Sequence, residues 1–213
     1  MIPILYRADE FFFLSNGLGR LSECTECTVT EERNGIFECE FKYPITGRFY
    51  DTMINDGGIV AVIHDDKHDI QPFDIYSYSA PIDGIVTFYA HHISYRLANI
   101  IVSPFQASSC ALAIDGLKTH SLNKNLFTFW TNKATDGNFN LTHPDNIRAL
   151  LGGQEGSILD VYGTGEYEFD KYEVKLYLNR GVDTGVTIRY GKNLTDINRT
   201  FDEGQTFNAL APF

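Results

Sequence analysis

The stretch ECTECTVTEERNGIFECEFKYP, residues 23–44, holds three of the four cysteines and decides how the first part of the chain folds. Apolar and polar residues alternate on both sides of Asn34-Gly35. Such alternation around Asn-Gly is the strongest short-range signal for a β-hairpin whose two-residue turn has positive φ at both central positions. We therefore expect a hairpin with Cys27 and Cys39 at inward-facing positions on its two arms.

The pair Cys24-Thr-Glu-Cys27 could also belong to a metal or redox site. A structural zinc site needs further soft ligands at close spacing, yet the only cysteine outside this stretch is Cys110, and the nearest downstream histidine is His64. A thioredoxin-type pair opens a helix, whereas this one runs into Thr-Val-Thr. Reduced thiols that pack as small hydrophobes are therefore favoured over a metal site, and a metal site over a redox site.

Composition and charge restrict the class of protein. The chain has 213 residues, 43% of them hydrophobic, with 12 Tyr and 16 Phe, which is typical of half-buried sheet surfaces. The net charge of −11 argues against nucleic-acid binding by phosphate neutralisation, because no Lys/Arg cluster is present. The sequence has no apolar run long enough to span a bilayer, so we expect no stable membrane insertion.

Several further segments of the first hundred residues read as short strands joined by turns. Asn16-Gly17 lies between apolar arms, residues 57–80 read as two strands around an acidic turn at His64–Asp69, and residues 83–97 read as a strand passing into a helical segment. Short strands at such spacing predict a small antiparallel barrel or sandwich.

The pattern changes after residue 100. Residues 103–120 predict a helix of roughly ten residues that ends at Gly116, and residues 127–135 predict a strand. Residues 142–163 predict one or two short helices broken at Gly152-Gly153. The last segments predict two hairpins, one around Asp170-Lys171 in residues 166–181 and one around Gly191-Lys192-Asn193 in residues 183–202. This order predicts an α+β module rather than a parallel βαβ unit.

A search for catalytic groups finds none that stands out. The His64–Asp69 cluster is favoured as a solvated turn, with an ion site as the alternative. Of the neighbours His91 and His92, which point to opposite faces of a strand, we expect one to be buried and bonded and the other exposed. Ser157 lacks a nucleophile elbow, and no complete nucleotide-binding loop is present. We predict no enzyme activity, no catalytic residue, no metal and no cofactor.

The chain resembles the amino-terminal region of siphophage tail-associated proteins, the prophage-endopeptidase-type minor structural proteins. Residues 32–35, 71–75, 91–95 and 189–194 carry the resemblance most specifically. The resemblance covers the whole chain and rests on turns and strands. It implies an α+β, mainly β fold: an antiparallel tail-tube-like β-barrel in residues 1–100, an inserted α+β module in residues 101–186, and strands in residues 187–213 that return to the barrel or start its twin.

The resemblance also implies a role in a virion, assembled in the bacterial host cytoplasm. It implies a baseplate-hub protein that caps the tail tube at the tail tip as a homotrimer, forms part of the DNA exit channel and contacts the distal tail, tail-tube and tape-measure proteins. DNA would pass through without specific binding. The residues expected to matter are structural turns: Asn34, Gly35, Asn16, Gly17, Gly191 and Asn193.

Two alternatives stay open. The family label suggests a peptidoglycan-hydrolase component, although any endopeptidase activity of longer relatives would lie in carboxy-terminal domains not visible in this sequence. The second alternative is a module that binds host carbohydrate. The aromatic side chains of Tyr162, Tyr167, Tyr172 and Tyr177 could provide faces on which sugar rings stack.

Overall fold

Seven strands from the first half of the chain form the main sheet. The computed structural model describes residues 2–63 and 69–181, together with Gly185, Thr187 and Arg189. In chain order the strands are β1 (Ile4–Tyr6), β2 (Gly19–Arg20), β3 (Glu26–Glu31), β4 (Phe37–Pro44), β5 (Ile59–Val62), β6 (Gln71–Tyr78) and β7 (Ile85–His92). Their order across the sheet is β2-β1-β5-β6-β7-β4-β3, and every neighbouring pair is antiparallel.

The sheet curls into half a barrel, with β2 and β3 as its two edges. The predicted α+β, mainly β class is confirmed. Helix α1 (Tyr50–Asp56) contributes Met53 to the core on one face of the sheet, where Phe41, Phe73 and Phe88 are fully buried. On the opposite face of the β4–β3 part of the sheet, Glu26, Thr28 and Glu40 are exposed.

The hairpin predicted in residues 23–44 is the pair β3–β4, in register from Glu26 opposite Lys42 to Glu31 opposite Phe37. Its connection is longer than two residues, because the Glu32 N–H bonds to the Ile36 carbonyl and the Gly35 N–H bonds to the Glu32 carbonyl. Asn34 has φ 54°, whereas Gly35 does not lie in the left-handed region. The expectation of positive φ at both positions is therefore met at Asn34 alone.

The second Asn-Gly pair does not form a two-residue hairpin turn. Asn16 and Gly17 lie in the long connection between β1 and β2, where the Leu18 N–H bonds to the Leu5 carbonyl. Gly17 has φ 58°, and a Cβ atom there would lie 2.4 Å from the Leu5 carbonyl oxygen. Gly17 thus allows a close approach of two backbone segments rather than a tight reversal.

The second half of the chain mixes short strands and helices. A 3₁₀ helix (Ile93–Asn99) leads into β8 (Ile101–Val102), β9 (Phe105–Ser109), α2 (Cys110–Thr119), β10 (Thr128–Thr131), β11 (Asp136–Leu141), β12 (Asp145–Asn146), α3 (Ile147–Leu151), α4 (Ile158–Tyr162), β13 (Glu166–Asp170) and β14 (Glu173–Tyr177). These strands form the sheets β10-β14-β13, β11-β9 and β12-β8. The hairpin around Asp170-Lys171 is the pair β13–β14, and α3 and α4 flank the break at Gly152-Gly153.

One local expectation in this half is wrong. The helix in residues 103–120 does not end at Gly116 but runs from Cys110 to Thr119, and the residues before it form β9. Ser109 starts the helix, because its side-chain oxygen accepts the Leu112 N–H at 3.4 Å. In addition β10 pairs parallel to β14, so this module contains one parallel contact beside its antiparallel hairpin.

The predicted domain boundaries at 100/101 and 186/187 stay predictions. The chain divides into two compact units, Met1–Arg180 and Gly181–Phe213. Within the first unit, Tyr6, Ile59 and Ala61 of the main sheet share an apolar core with residues of the second half such as Leu117 and Val174. The turn residues Gly191 and Asn193, the hairpin assigned to them and the tip residues 64–68 lie outside the described residues.

Candidate functional site

The outward face of β4 alternates strictly with its buried face. Cys39, Phe41 and Tyr43 point into the core, so Glu38 and Glu40 point away from it. The neighbouring strands place further side chains beside these two glutamates and form a groove of about 300 Å³. We call the following set the acidic face: Glu26, Thr28, Thr30, Glu38, Glu40, Tyr76 and Tyr89.

The acidic face carries three carboxylates. Glu26 is paired with Lys42, whose Nζ lies 2.6 Å from Oε2 of the glutamate. Glu38 accepts a hydrogen bond from the Tyr95 hydroxyl at 3.2 Å. Glu40 is exposed on the same face. The face therefore combines negative charge with aromatic and hydroxyl groups, a surface that repels phosphate rather than binding it.

His91 lies at the end of this face between two tyrosine rings. Its ring stacks on Tyr76 at 4.9 Å and on Tyr95 at 4.8 Å, with interplanar angles of 15° and 8°. Burial lowers the pKa of His91, and the nearby carboxylates of Asp74 and Glu38 oppose that effect only in part. The ring is half-buried rather than exposed, so this part of the expectation for the two histidines is not met.

His92 is fully buried and bonded, as expected for one member of the pair. Its Nδ1 accepts the Ser94 N–H at 3.2 Å, so the proton is on Nε2, which donates to Oε1 of Gln71 at 3.2 Å. Gln71 in turn accepts the Lys171 N–H at 2.9 Å and donates to Asp170 at 2.8 Å. This network has a structural role, because it ties strands β6 and β7 to the β13–β14 turn.

All four cysteines are unpaired thiols. Cys27 and Cys39 are diagonal neighbours across β3 and β4, with their Sγ atoms 3.7 Å apart. Cys39 is buried, whereas Cys27 and Cys24 are half-buried. Burial raises the pKa of Cys24 to about 11, so this thiol is a poor nucleophile near neutral pH. Among the described residues, no group of three metal-binding side chains converges.

Three of the four tyrosines considered for sugar stacking are buried. Tyr162, Tyr167 and Tyr172 are between 4% and 9% exposed. Tyr177 is half-buried and makes an edge contact with Trp130, at 5.2 Å between ring centroids. The predicted stacking face is therefore reduced to Tyr177. Ser157 is likewise buried, at the start of α4.

The turn residues have different environments. The side chain of Asn34 bonds to Gly165 and Tyr167 in the second half of the chain, whereas Asn16 is exposed. Sequence reasoning missed Arg148, which lies in α3 beside a cavity. The available signal was a single basic residue among apolar neighbours in NIRALL, residues 146–151. In the described part of the chain, no helix has the length and apolarity required to cross a membrane.

No family model and no curated protein matches this sequence. Among solved structures, the chain is similar to the crystal structure of prophage tail protein gp18 from Listeria monocytogenes EGD-e, with a TM-score of 0.55. The two sequences are 16% identical, and the match covers 92% of this chain and 56% of that one. The chain thus spans just over half the length of the prophage tail protein, and the likeness shows that the two proteins share a fold.

Proposed function

We propose that this chain is a structural protein of a phage tail that acts through contacts with other subunits. The single observation that carries the proposal is the fold shared with a prophage tail protein over 92% of the chain. More specifically, we propose that the chain forms a homotrimeric hub at the tail tip, which caps the tail tube and contacts the distal tail and tape-measure proteins.

The edges of the half-barrel sheet support this mode of action. Strand β3 pairs with β4 on one side and, among the described residues, with no strand on the other. The Glu32 N–H points towards β4, because it bonds to the Ile36 carbonyl. Backbone hydrogen-bonding groups alternate in direction along an antiparallel strand, so the N–H and C=O groups of Cys27 and Val29 point away from β4, towards the open edge. Edge β3 of one copy can pair with the opposite edge of the next, which is a head-to-tail contact that closes into a ring.

The acidic face supports a position along the path of DNA. Packaged DNA carries one negative charge per phosphate, and a channel wall that bound phosphates would hinder its passage. The face offers three glutamates, of which Glu26 has Lys42 as its counter-ion. A negatively charged channel wall repels the DNA phosphates and so prevents binding, whatever the DNA sequence.

The direct test is assembly with candidate neighbours. The chain is produced with the tail-tube and distal-tail proteins of the same phage, and the products are measured by light scattering and electron microscopy. The proposal predicts a homotrimer of about 72 kDa, three times the 24.1 kDa chain, bound to the end of the tube. A monomer that binds neither neighbour would contradict it.

The contribution of the β3 edge is tested with Val29→Pro, which removes one outward N–H without touching the bonds to β4. The expected result is a folded chain that fails to trimerise. Val29→Thr is the matched control, because it keeps the N–H and a similar shape and should assemble normally. Trimer formation by the proline variant would show that the β3 edge is not part of the interface.

The hydrolase alternative is tested separately by incubating the purified chain with peptidoglycan. We expect no release of soluble muropeptides or peptides, measured by chromatography and mass spectrometry. Release of fragments above the level of a heat-inactivated sample would contradict a purely structural role.

A further inference from the structure

Arg148 has an unusual environment for an arginine. Its guanidinium lies over the Tyr95 ring at 4.6 Å and near the Phe169 ring at 5.4 Å, and Nη2 donates to the Gly35 carbonyl at 3.2 Å. The other terminal nitrogen, Nη1, is buried and has no hydrogen-bond partner within the described part of the chain. A buried donor without a partner costs about 1–3 kcal/mol, and more when the group is charged.

The electrostatic surroundings of Arg148 are also unusual. Three other arginines of the first unit have carboxylate partners: Arg33 pairs with Glu166, Arg96 with Asp74 and Arg180 with Glu31. For Arg148 the described residues provide no such ion pair. Burial lowers its pKa, although the group remains charged at neutral pH. The two aromatic rings offset part of the cost of burial, but they do not replace a counter-ion.

A cavity of about 160 Å³ adjoins this guanidinium, between the β3–β4 hairpin tip and α3. Leu151, Leu159 and Phe169 supply apolar walls, and Gly152-Gly153 forms part of the rim. The neighbouring polar groups are already used, because Asn34 binds the backbone of Gly165 and Tyr167, and the Tyr167 hydroxyl donates to the Leu151 carbonyl at 2.9 Å. Among the side chains lining the cavity, Arg148 is therefore the charged group with which a guest can pair.

We propose that this cavity binds a carboxylate on a short apolar stem, with the carboxylate paired to the Arg148 guanidinium and the stem packed against Leu151 and Leu159. A single guanidinium matches one negative charge and fits carboxylate geometry. A dianionic phosphate would retain one uncompensated charge beside the apolar walls, so it fits less well. The carboxylate comes from a free small acid or from the end of a peptide.

The test uses thermal unfolding of the native chain at pH 7 and constant ionic strength. Isobutyrate and N-acetyl-glycyl-leucine are the two probes, each compared with its neutral amide, isobutyramide or N-acetyl-glycyl-leucinamide. We expect at least one acid to raise the midpoint by about 2 °C or more in a saturable manner, while its amide and chloride do not. A shift with isobutyrate identifies a small-acid site, and a shift with the dipeptide alone identifies a peptide carboxylate.

Variants locate the effect. Arg148→Met should abolish the shift, whereas Arg33→Gln, a nearby exposed arginine with its own carboxylate partner, should keep it. If the Arg148→Met variant fails to fold, the comparison of acids with amides on the native chain still decides whether binding requires the negative charge. Equal behaviour of acids and amides, an equal shift with inorganic phosphate, or a shift that survives Arg148→Met would overturn the proposal. Equal shifts with acids and amides would mean that the apolar stem binds without its charge, and no shift with either would mean that neither probe enters the cavity.

Discussion

The side-chain amide of Asn34 binds the backbone of Tyr167 in the way that a neighbouring strand would. Its Oδ1 accepts the Tyr167 N–H at 2.8 Å, and its Nδ2 donates to the Gly165 carbonyl at 2.8 Å. The same residue holds φ 54° in the hairpin turn. Asn34 is therefore both a turn residue of the main sheet and a hydrogen-bonding partner at the edge of β13. Its side chain is one of the contacts between the two halves of the first compact unit.

Replacing Asn34 should separate these two roles. Asn34→Ala loses both hydrogen bonds. It also puts alanine, which is strained at positive φ, in the turn, so we expect the free energy of unfolding to fall by about 2–3 kcal/mol. Asn34→Gly loses the same bonds but tolerates the backbone angle, so its loss should be smaller by about 1 kcal/mol. Urea denaturation measures both. Equal losses would mean that the backbone angle contributes nothing.

The buried Gln71 network gives a second prediction, which concerns pH. Gln71→Glu keeps the shape but replaces the amide that donates to Asp170 with a carboxylate oxygen. Two carboxylates in contact repel each other, and protonation of one relieves the repulsion, so the folded pKa of the pair lies above its unfolded value. The variant should be strongly destabilised at pH 7 and should recover relative to the native chain as pH falls towards 4.

Urea denaturation at several pH values measures this recovery. Gln106→Glu is the control, because Gln106 is exposed and its amide donates to Asn140 rather than to a carboxylate. It should show little change at any pH. A Gln71→Glu variant as stable as the native chain at pH 7 would show that the network accepts a carboxylate, contrary to the assigned hydrogen-bond directions.

His91 gives a prediction of opposite sign. Its pKa is lowered in the folded chain because the ring is buried between Tyr76 and Tyr95, so the unfolded chain takes up the proton more readily. Its contribution to stability is complete above the unfolded value of about 6.5 and is lost as pH falls through the folded pKa. His91→Phe keeps the stack without a titrating group. Stability measured at pH 8 and pH 5 should fall less in this variant, and an equal fall would contradict the prediction.

Local patterns in the sequence were sufficient for two of the hairpins. Alternation predicted β3–β4 and β13–β14 because each arm contacts its neighbour in sequence. The parallel pairing of β10 with β14 was missed, since it joins strands that are distant in the chain and depends on packing that no local pattern encodes. The same limit applies to Arg148, whose partners Gly35, Tyr95 and Phe169 come from three separate segments.

The thiol of Cys24 should react slowly with alkylating agents. With its pKa raised from 9.0 to about 11, the thiolate fraction at pH 8 falls roughly a hundredfold, and only the thiolate reacts. Mass spectrometry of the native chain treated with iodoacetamide should therefore show Cys24 labelled far more slowly than in urea. Similar rates in both states would show that the folded chain does not bury this thiol.

Gly116 shows why a glycine inside α2 should not be replaced by the best helix former. On an exposed helix position, alanine in place of glycine stabilises by about 1 kcal/mol. At Gly116 an added Cβ would lie 2.2 Å from Cε2 of Phe105, whose ring stacks on His120 at 4.7 Å and contacts Phe139. Relief of this contact requires the Phe105 ring to leave its place in the core.

We therefore expect Gly116→Ala to lower the free energy of unfolding by about 1–3 kcal/mol, the range for overpacking, despite the gain in helix propensity. Ala111→Gly, at an exposed position of the same helix, is the matched control and should cost about 1 kcal/mol through propensity alone. Adding Phe105→Leu to Gly116→Ala should restore part of the loss, because the smaller side chain gives the new methyl group room. If Gly116→Ala proves stabilising, the ring is free to move, and the close packing of α2 on β9 is not what keeps glycine at this position.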